Sequence, residues 1–68
     1  MSTQTVTVTG MTCGHCATSV REEVGALPGV QAVEVDLSTG LVTIDSETRL
    51  DPAAINDAVA EAGYAVAG

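Results

Sequence analysis

The apolar residues of this chain switch repeatedly between the alternation of a strand and the roughly 3.6-residue period of a helix, and the order of the switches narrows the fold more than any other feature. Residues 4–9 alternate strictly, with Val6 and Val8 on one side and Thr5, Thr7 and Thr9 on the other. β-Branched residues in alternation predict a half-buried strand, which Gly10 ends. From about Gly14 the period lengthens. Cys16, Val20, Val24 and Leu27 share one helical face, Arg21, Glu22 and Glu23 lie off it, and Pro28-Gly29 stops the helix. Residues 30–37 alternate again, with Val33, Val35 and Leu37 expected inward and Glu34 and Asp36 outward. Ser38-Thr39-Gly40 makes a turn, and residues 41–45 return with Val42 and Ile44 inside, so the two strands predict an antiparallel hairpin. Asp51 suits a helix N-cap and Pro52 the first helical position. Ile55, Val59 and Ala62 form the apolar stripe of that helix with Ala58 beside it, while Asn56, Asp57 and Glu61 are expected in solvent. Gly63 is placed for a left-handed helix end, and residues 64–67 read as a short last strand.

The order strand–helix–strand–strand–helix–strand, with right-handed crossovers, predicts an α+β fold of the ferredoxin-like type. In it a four-stranded antiparallel sheet carries both helices on one face, and threonines and carboxylates fill the other. Residues 1–68 read as a single domain, with no linker and no low-complexity run. A chain this short buries only about 60% of its unfolded surface, which excludes a large enzyme with a deep, many-residue cleft. Its apolar residues are mostly Val and Ala, without Phe or Trp and with Tyr64 as the one aromatic, so the core must be thin.

Two arginines, Arg21 and Arg49, stand against nine carboxylates, for a net charge of 2 − 9 = −7. Phosphate backbones need cationic partners, so nucleic acid is excluded and direct membrane binding disfavoured. An acidic domain is steered instead toward a basic patch on another protein. No apolar run reaches the roughly 18 residues of a membrane span. Met1-Ser2-Thr3-Gln4 has neither the basic nor the apolar part of a signal peptide, so a cytoplasmic location is expected.

The chemistry lies in Gly10-Met11-Thr12-Cys13-Gly14-His15-Cys16. Cys13 and Cys16 are the only cysteines, and a disulfide between them would close too small a loop to stabilise much. The pair reads as metal-binding or redox chemistry. It sits where a predicted strand passes into a predicted helix, and the unpaired N–H groups and positive end of that helix favour thiolate over thiol. Structural zinc takes four ligands, and calcium and magnesium take oxygen. Two sulfurs on an exposed loop suit a soft monovalent ion, above all Cu(I), and leave it open to an incoming thiolate. A dithiol reductase is the enzymatic rival, although no Trp or Pro flanks the pair. No general base or substrate pocket is evident, so an enzyme is not expected.

Gly-Met-Thr-Cys-x-x-Cys after a first strand resembles the heavy-metal-associated domain. The likeness extends through Leu27-Pro28-Gly29-Val30 and Ala62-Gly63-Tyr64, and the length resembles the small bacterial copper chaperones of that family. The resemblance implies Cu(I) held by Cys13 and Cys16 and passed by thiolate exchange to a copper-transporting P-type ATPase, with a copper-responsive regulator as a further partner. It implies a monomer when metal-free and a copper-bridged homodimer when loaded. Met11 matches a methionine that packs beneath the loop, and Tyr64 a residue close to the metal before the last strand. His15 falls at a variable position, where its charge would favour neighbouring thiolates. Two alternatives stay open: a metal-binding domain cut from such an ATPase, and a chaperone for Hg(II), Ag(I) or Zn(II). The absence of lysine departs from many relatives and leaves the docking surface undefined.

Overall fold

The computed structural model describes residues 1–12 and 14–67. The elements follow the expected order: β1 (Ser2–Thr9), α1 (Gly14–Gly25), β2 (Val30–Asp36), β3 (Leu41–Ser46), α2 (Pro52–Glu61) and β4 (Ala65–Ala67). One antiparallel sheet takes the order β2-β3-β1-β4. Helix α1 lies against β2, α2 lies against β4, and the helices touch each other. This is the ferredoxin-like arrangement that the periodicity predicts.

Alternation in β1 sorts its groups. Ser2, Gln4, Val6 and Val8 turn toward the helices, and Thr3, Thr5, Thr7 and Thr9 lie in solvent. Val20 and Val24 of α1, Val42 and Ile44 of β3, and Ile55 and Val59 of α2 are fully buried and meet Val8 in one core. Each such side chain contributes about 1.5–3 kcal/mol relative to exposure. The helix faces are those expected, with Ala17 added to the buried set.

Helix α2 is capped as its sequence predicts. The Asp51 carboxylate accepts the Ala53 N–H at 2.9 Å, Pro52 opens the helix, and Gly63 takes φ +94° just beyond the Ala62 cap.

Three expectations need correction. Leu37 does not point inward; it is 41% exposed and lies in the turn after β2. The Asp36 carboxylate accepts from the Ser38 N–H and hydroxyl, and Asp36 C=O accepts from the Gly40 N–H, so the turn closes around Leu37 and takes it out of the ladder. Leu27 packs against the core from the turn after α1, not from the helix. Tyr64 precedes the last strand instead of starting it.

Two buried residues lie outside the apolar pattern: Leu50 belongs to no repeat, and Ser46 continues the Val42–Ile44 alternation with a polar side chain. Leu50, 9% exposed, plugs the core from the loop before α2. The Gln4 amide holds it, donating to Leu50 C=O at 3.1 Å and accepting the Leu50 N–H at 2.7 Å. Ser46, fully buried, donates its hydroxyl to Thr48 C=O.

Gly40 brings the β2–β3 hairpin against β1. Its C=O accepts the Val8 N–H at 2.8 Å, its φ is +76°, and a Cβ there would lie 2.6 Å from the Val8 carbonyl oxygen. Backbone approach this close admits only glycine.

Two measurements check this account. Ile55→Ala should cost about 2–5 kcal/mol in urea unfolding, since Ile55 is buried in the core and its removal leaves a cavity there. At the hairpin, the Ser38 hydroxyl and then its N–H hold the Asp36 carboxyl below the usual aspartate range. A carboxyl held low in the folded state adds stability above its unfolded pKa, and that increment disappears as pH falls through the folded value. Carbon-detected NMR titration should find Asp36 below a free aspartate, and Ser38→Ala should move it up.

Candidate metal centre

Strand β1 runs into the loop at Gly10, whose φ of +89° turns the chain toward α1. Met11 is half-buried and packs against the core. Thr12 is exposed. Cys13 lies outside the described residues. Gly14, His15 and Cys16 form the first turn of α1. His15 is exposed, whereas Cys16 is half-buried and faces the loop. Its sulfur lies 3.9 Å from the Thr12 hydroxyl, a distance at which either group can donate.

The first turn of α1 contains no acidic residue. The positive end of the helix therefore acts on the Cys16 sulfur with no carboxylate of that turn to oppose it. Such a position favours thiolate, the form that both binds soft metals and attacks them.

Tyr64 comes to the same end of the sheet from the loop before β4. It is half-buried against the core, and a Cβ added at Gly10 would come within 3.3 Å of its ring carbon Cδ1. The ring thus lies against the start of the cysteine loop, and glycine at position 10 both takes the positive φ and spares the ring a tight contact. The Leu37–Gly40 turn reaches the same end through the Val8–Gly40 bond, with Leu37 and Leu41 exposed there. Met11, Cys16 and Tyr64 are therefore gathered at one end of the molecule, and His15 stands at its solvent side.

Among the described residues, no three His, Cys, Asp or Glu side chains converge to hold a metal. Two grooves run between α1 and β2 and between β1 and α2, and the described residues among 10–16 line neither. The donor chemistry at the loop is soft sulfur beside hydroxyl, which suits a soft, low-coordinate ion better than a hard one. Sequence reasoning passed over Thr12 as a partner of Cys16. The signal was the four-residue spacing, which puts the two side chains on one side of a starting helix. No helix among the described residues is long and apolar enough to cross a membrane.

Comparison with known proteins agrees with this geometry. The family model of the heavy-metal-associated domain matches residues 5–65. The copper chaperone CopZ of Bacillus subtilis is 40% identical over 68 residues, spanning 98% of this chain and 99% of that one. A probable copper-exporting P-type ATPase of Archaeoglobus fulgidus is 42% identical over 64 residues, which are 93% of this chain but 8% of the ATPase. The solved structure of a CopZ metallochaperone superposes with a TM-score of 0.90 at 30% identity, covering 97% of this chain and 100% of the other. Sequence motif, sheet order and loop geometry converge, and the chain belongs to the heavy-metal-associated domain family.

Proposed function

We propose that this protein is a cytoplasmic copper chaperone. It binds Cu(I) through Cys13 and Cys16 and hands it to a copper-transporting P-type ATPase, with a copper-responsive regulator as a second recipient. The observation that carries this reading is the end-to-end match to a copper chaperone, at 99% of that protein's length, in a chain whose only two cysteines form the Cys-x-x-Cys pair. The match to an ATPase segment supports both the choice of recipient and a second reading, in which the chain is one metal-binding domain of such a pump. The mass of the protein isolated from its own cells separates the two: the chaperone has the 6.8 kDa of the chain, and the pump domain is part of a much larger polypeptide.

Transfer proceeds by ligand exchange. A cysteine of the recipient loses its proton and attacks the two-coordinate ion, which becomes three-coordinate. One original sulfur then leaves and takes up a proton. Copper stays in the monovalent state throughout, so the exchange needs no oxidant and no catalytic base, and the protein is not an enzyme. Thr12 steadies the Cys16 sulfur, Tyr64 and Met11 hold the loop from inside, and His15 adds charge at the solvent side when protonated. The net charge of −7 directs the loop toward basic surfaces and away from nucleic acid and anionic membranes.

One thiolate cannot make a two-sulfur site. Cys13→Ser and Cys16→Ser should each lose tight Cu(I) binding in competition with a strong chelator while keeping the wild-type circular dichroism. Undiminished competition by either variant overturns the ligand assignment, and a preference for Hg(II), Ag(I) or Zn(II) in the same assay overturns the cargo. An exposed two-ligand loop also has room for a second pair of sulfurs. Sedimentation of the reduced protein should show a monomer without metal and a dimer on adding Cu(I), with both Cys pairs around shared copper.

A further inference from the structure

Helix α1 begins on a weak residue. Gly14 opens it, and glycine loses more freedom than any other residue on entering a helix. Nothing beyond the adjoining backbone lies within 4 Å of where a Cβ would stand at Gly14, so packing does not hold this position either. The first turn carries no acidic residue, whereas the Asp51 carboxylate closes the start of α2.

A pair of hydroxyls lies one turn further on. Thr18 donates its hydroxyl to Gly14 C=O at 3.0 Å, and Ser19 donates its hydroxyl to His15 C=O at 3.2 Å. Each carbonyl is also the acceptor, four residues back, of the helix bond from the same residue's N–H. Thr18 is exposed in the groove beside β2, and Ser19 is half-buried in a second groove beside Glu61 and Ala62. The hydroxyls thus clasp the turn from both flanks, while Ala17 and Val20 are buried beneath it.

The two clasped carbonyls have a particular place in the chain. Gly14 C=O belongs to the peptide group joining Gly14 to His15, and His15 C=O to the one joining His15 to Cys16. These two planes come immediately before the Cys16 α-carbon and set where its sulfur stands. A carboxylate cap would also hold the turn, but it would put a negative charge beside a sulfur that binds metal as thiolate. A hydroxyl that donates to a carbonyl holds the turn and brings no charge.

We infer that Thr18 and Ser19 are positioning residues for the metal ligand Cys16: their hydroxyls fix the first turn of α1, so that the sulfur meets copper already in place. This rests on the reading of Cys16 as a copper ligand. The hydroxyls act through the backbone and are not ligands themselves. Without them the turn must order around the ion as it binds, and that ordering is subtracted from the affinity.

The test uses the full chain, reduced and nitrogen-15 labelled. Thr18→Val removes one hydroxyl at nearly constant shape and helix propensity. Ser19→Ala removes the other while raising the propensity, so a general effect on the helix would run the opposite way. In the metal-free protein, Thr18→Val should speed amide exchange at residues 18–20 about threefold and leave residues 55–59 unchanged. In competition with a strong chelator it should bind Cu(I) about threefold more weakly, and the double variant about fivefold. Thr18→Ser should behave as wild type. Gly14→Ala stiffens the same turn through the backbone, so adding it to Thr18→Val should recover about threefold. The number of sulfurs around copper, counted by X-ray absorption, should not change in any variant. Wild-type affinity in the double variant overturns the inference, as does Thr18→Ser binding as weakly as Thr18→Val. Unchanged exchange at residues 18–20 overturns the clasp itself. A wild-type protein that takes up no Cu(I) overturns the functional reading and this inference with it, whereas equal affinities across the series overturn this inference alone.

Discussion

Strand β1 is the member on which the rest of the structure depends. It is bonded on one side to β3 over most of its length and on the other to β4 near its end. Its inward residues contribute Val8 to the core and Gln4 to the clamp on Leu50. Its last residues deliver the chain to the cysteine loop. A slip of one residue in its register would exchange valines for threonines at the core and would misplace the loop at the same time. Stability and the candidate site are thus set by one alternating run.

The core built on that strand is thin. Its fully buried side chains are Val, Ile and one Ser, and its edges are closed by Leu50 and by the half-buried Met11, Leu27 and Tyr64. Small residues pack closely where backbones approach, as Gly40 does against Val8, and the Gly10 backbone likewise lies against the Tyr64 ring. These two glycines lie at the end of the sheet that carries the loop. Close packing there sets the start of the loop against the end of β1.

Much of this was legible in the residues because periodicity reports burial directly. Val20, Val24, Ile55 and Val59 declared their helix faces, and Asp51-Pro52 declared a helix start, since those side chains perform the cap themselves. Leu37 misled because alternation does not say where a ladder stops; the Asp36–Ser38 hydrogen bonds close the turn one residue earlier. Leu50 was invisible because a loop residue is buried by its contacts, here both ends of the Gln4 amide, and not by any repeat. At the loop, the Cys-x-x-Cys motif pointed to the family that the comparison found, whereas the Thr12–Cys16 contact depends on where the first turn of α1 begins.

Tyr64 is the only aromatic side chain in the protein, and its ring rests against Gly10 at the mouth of the loop. Its ultraviolet absorption and emission therefore arise from a single place, without a tryptophan to mask them. Light taken up by this molecule near 280 nm is taken up at Gly10, where the cysteine loop begins. The chain carries its own optical reporter of what happens at the loop, and no label need be attached to a surface that a partner must touch.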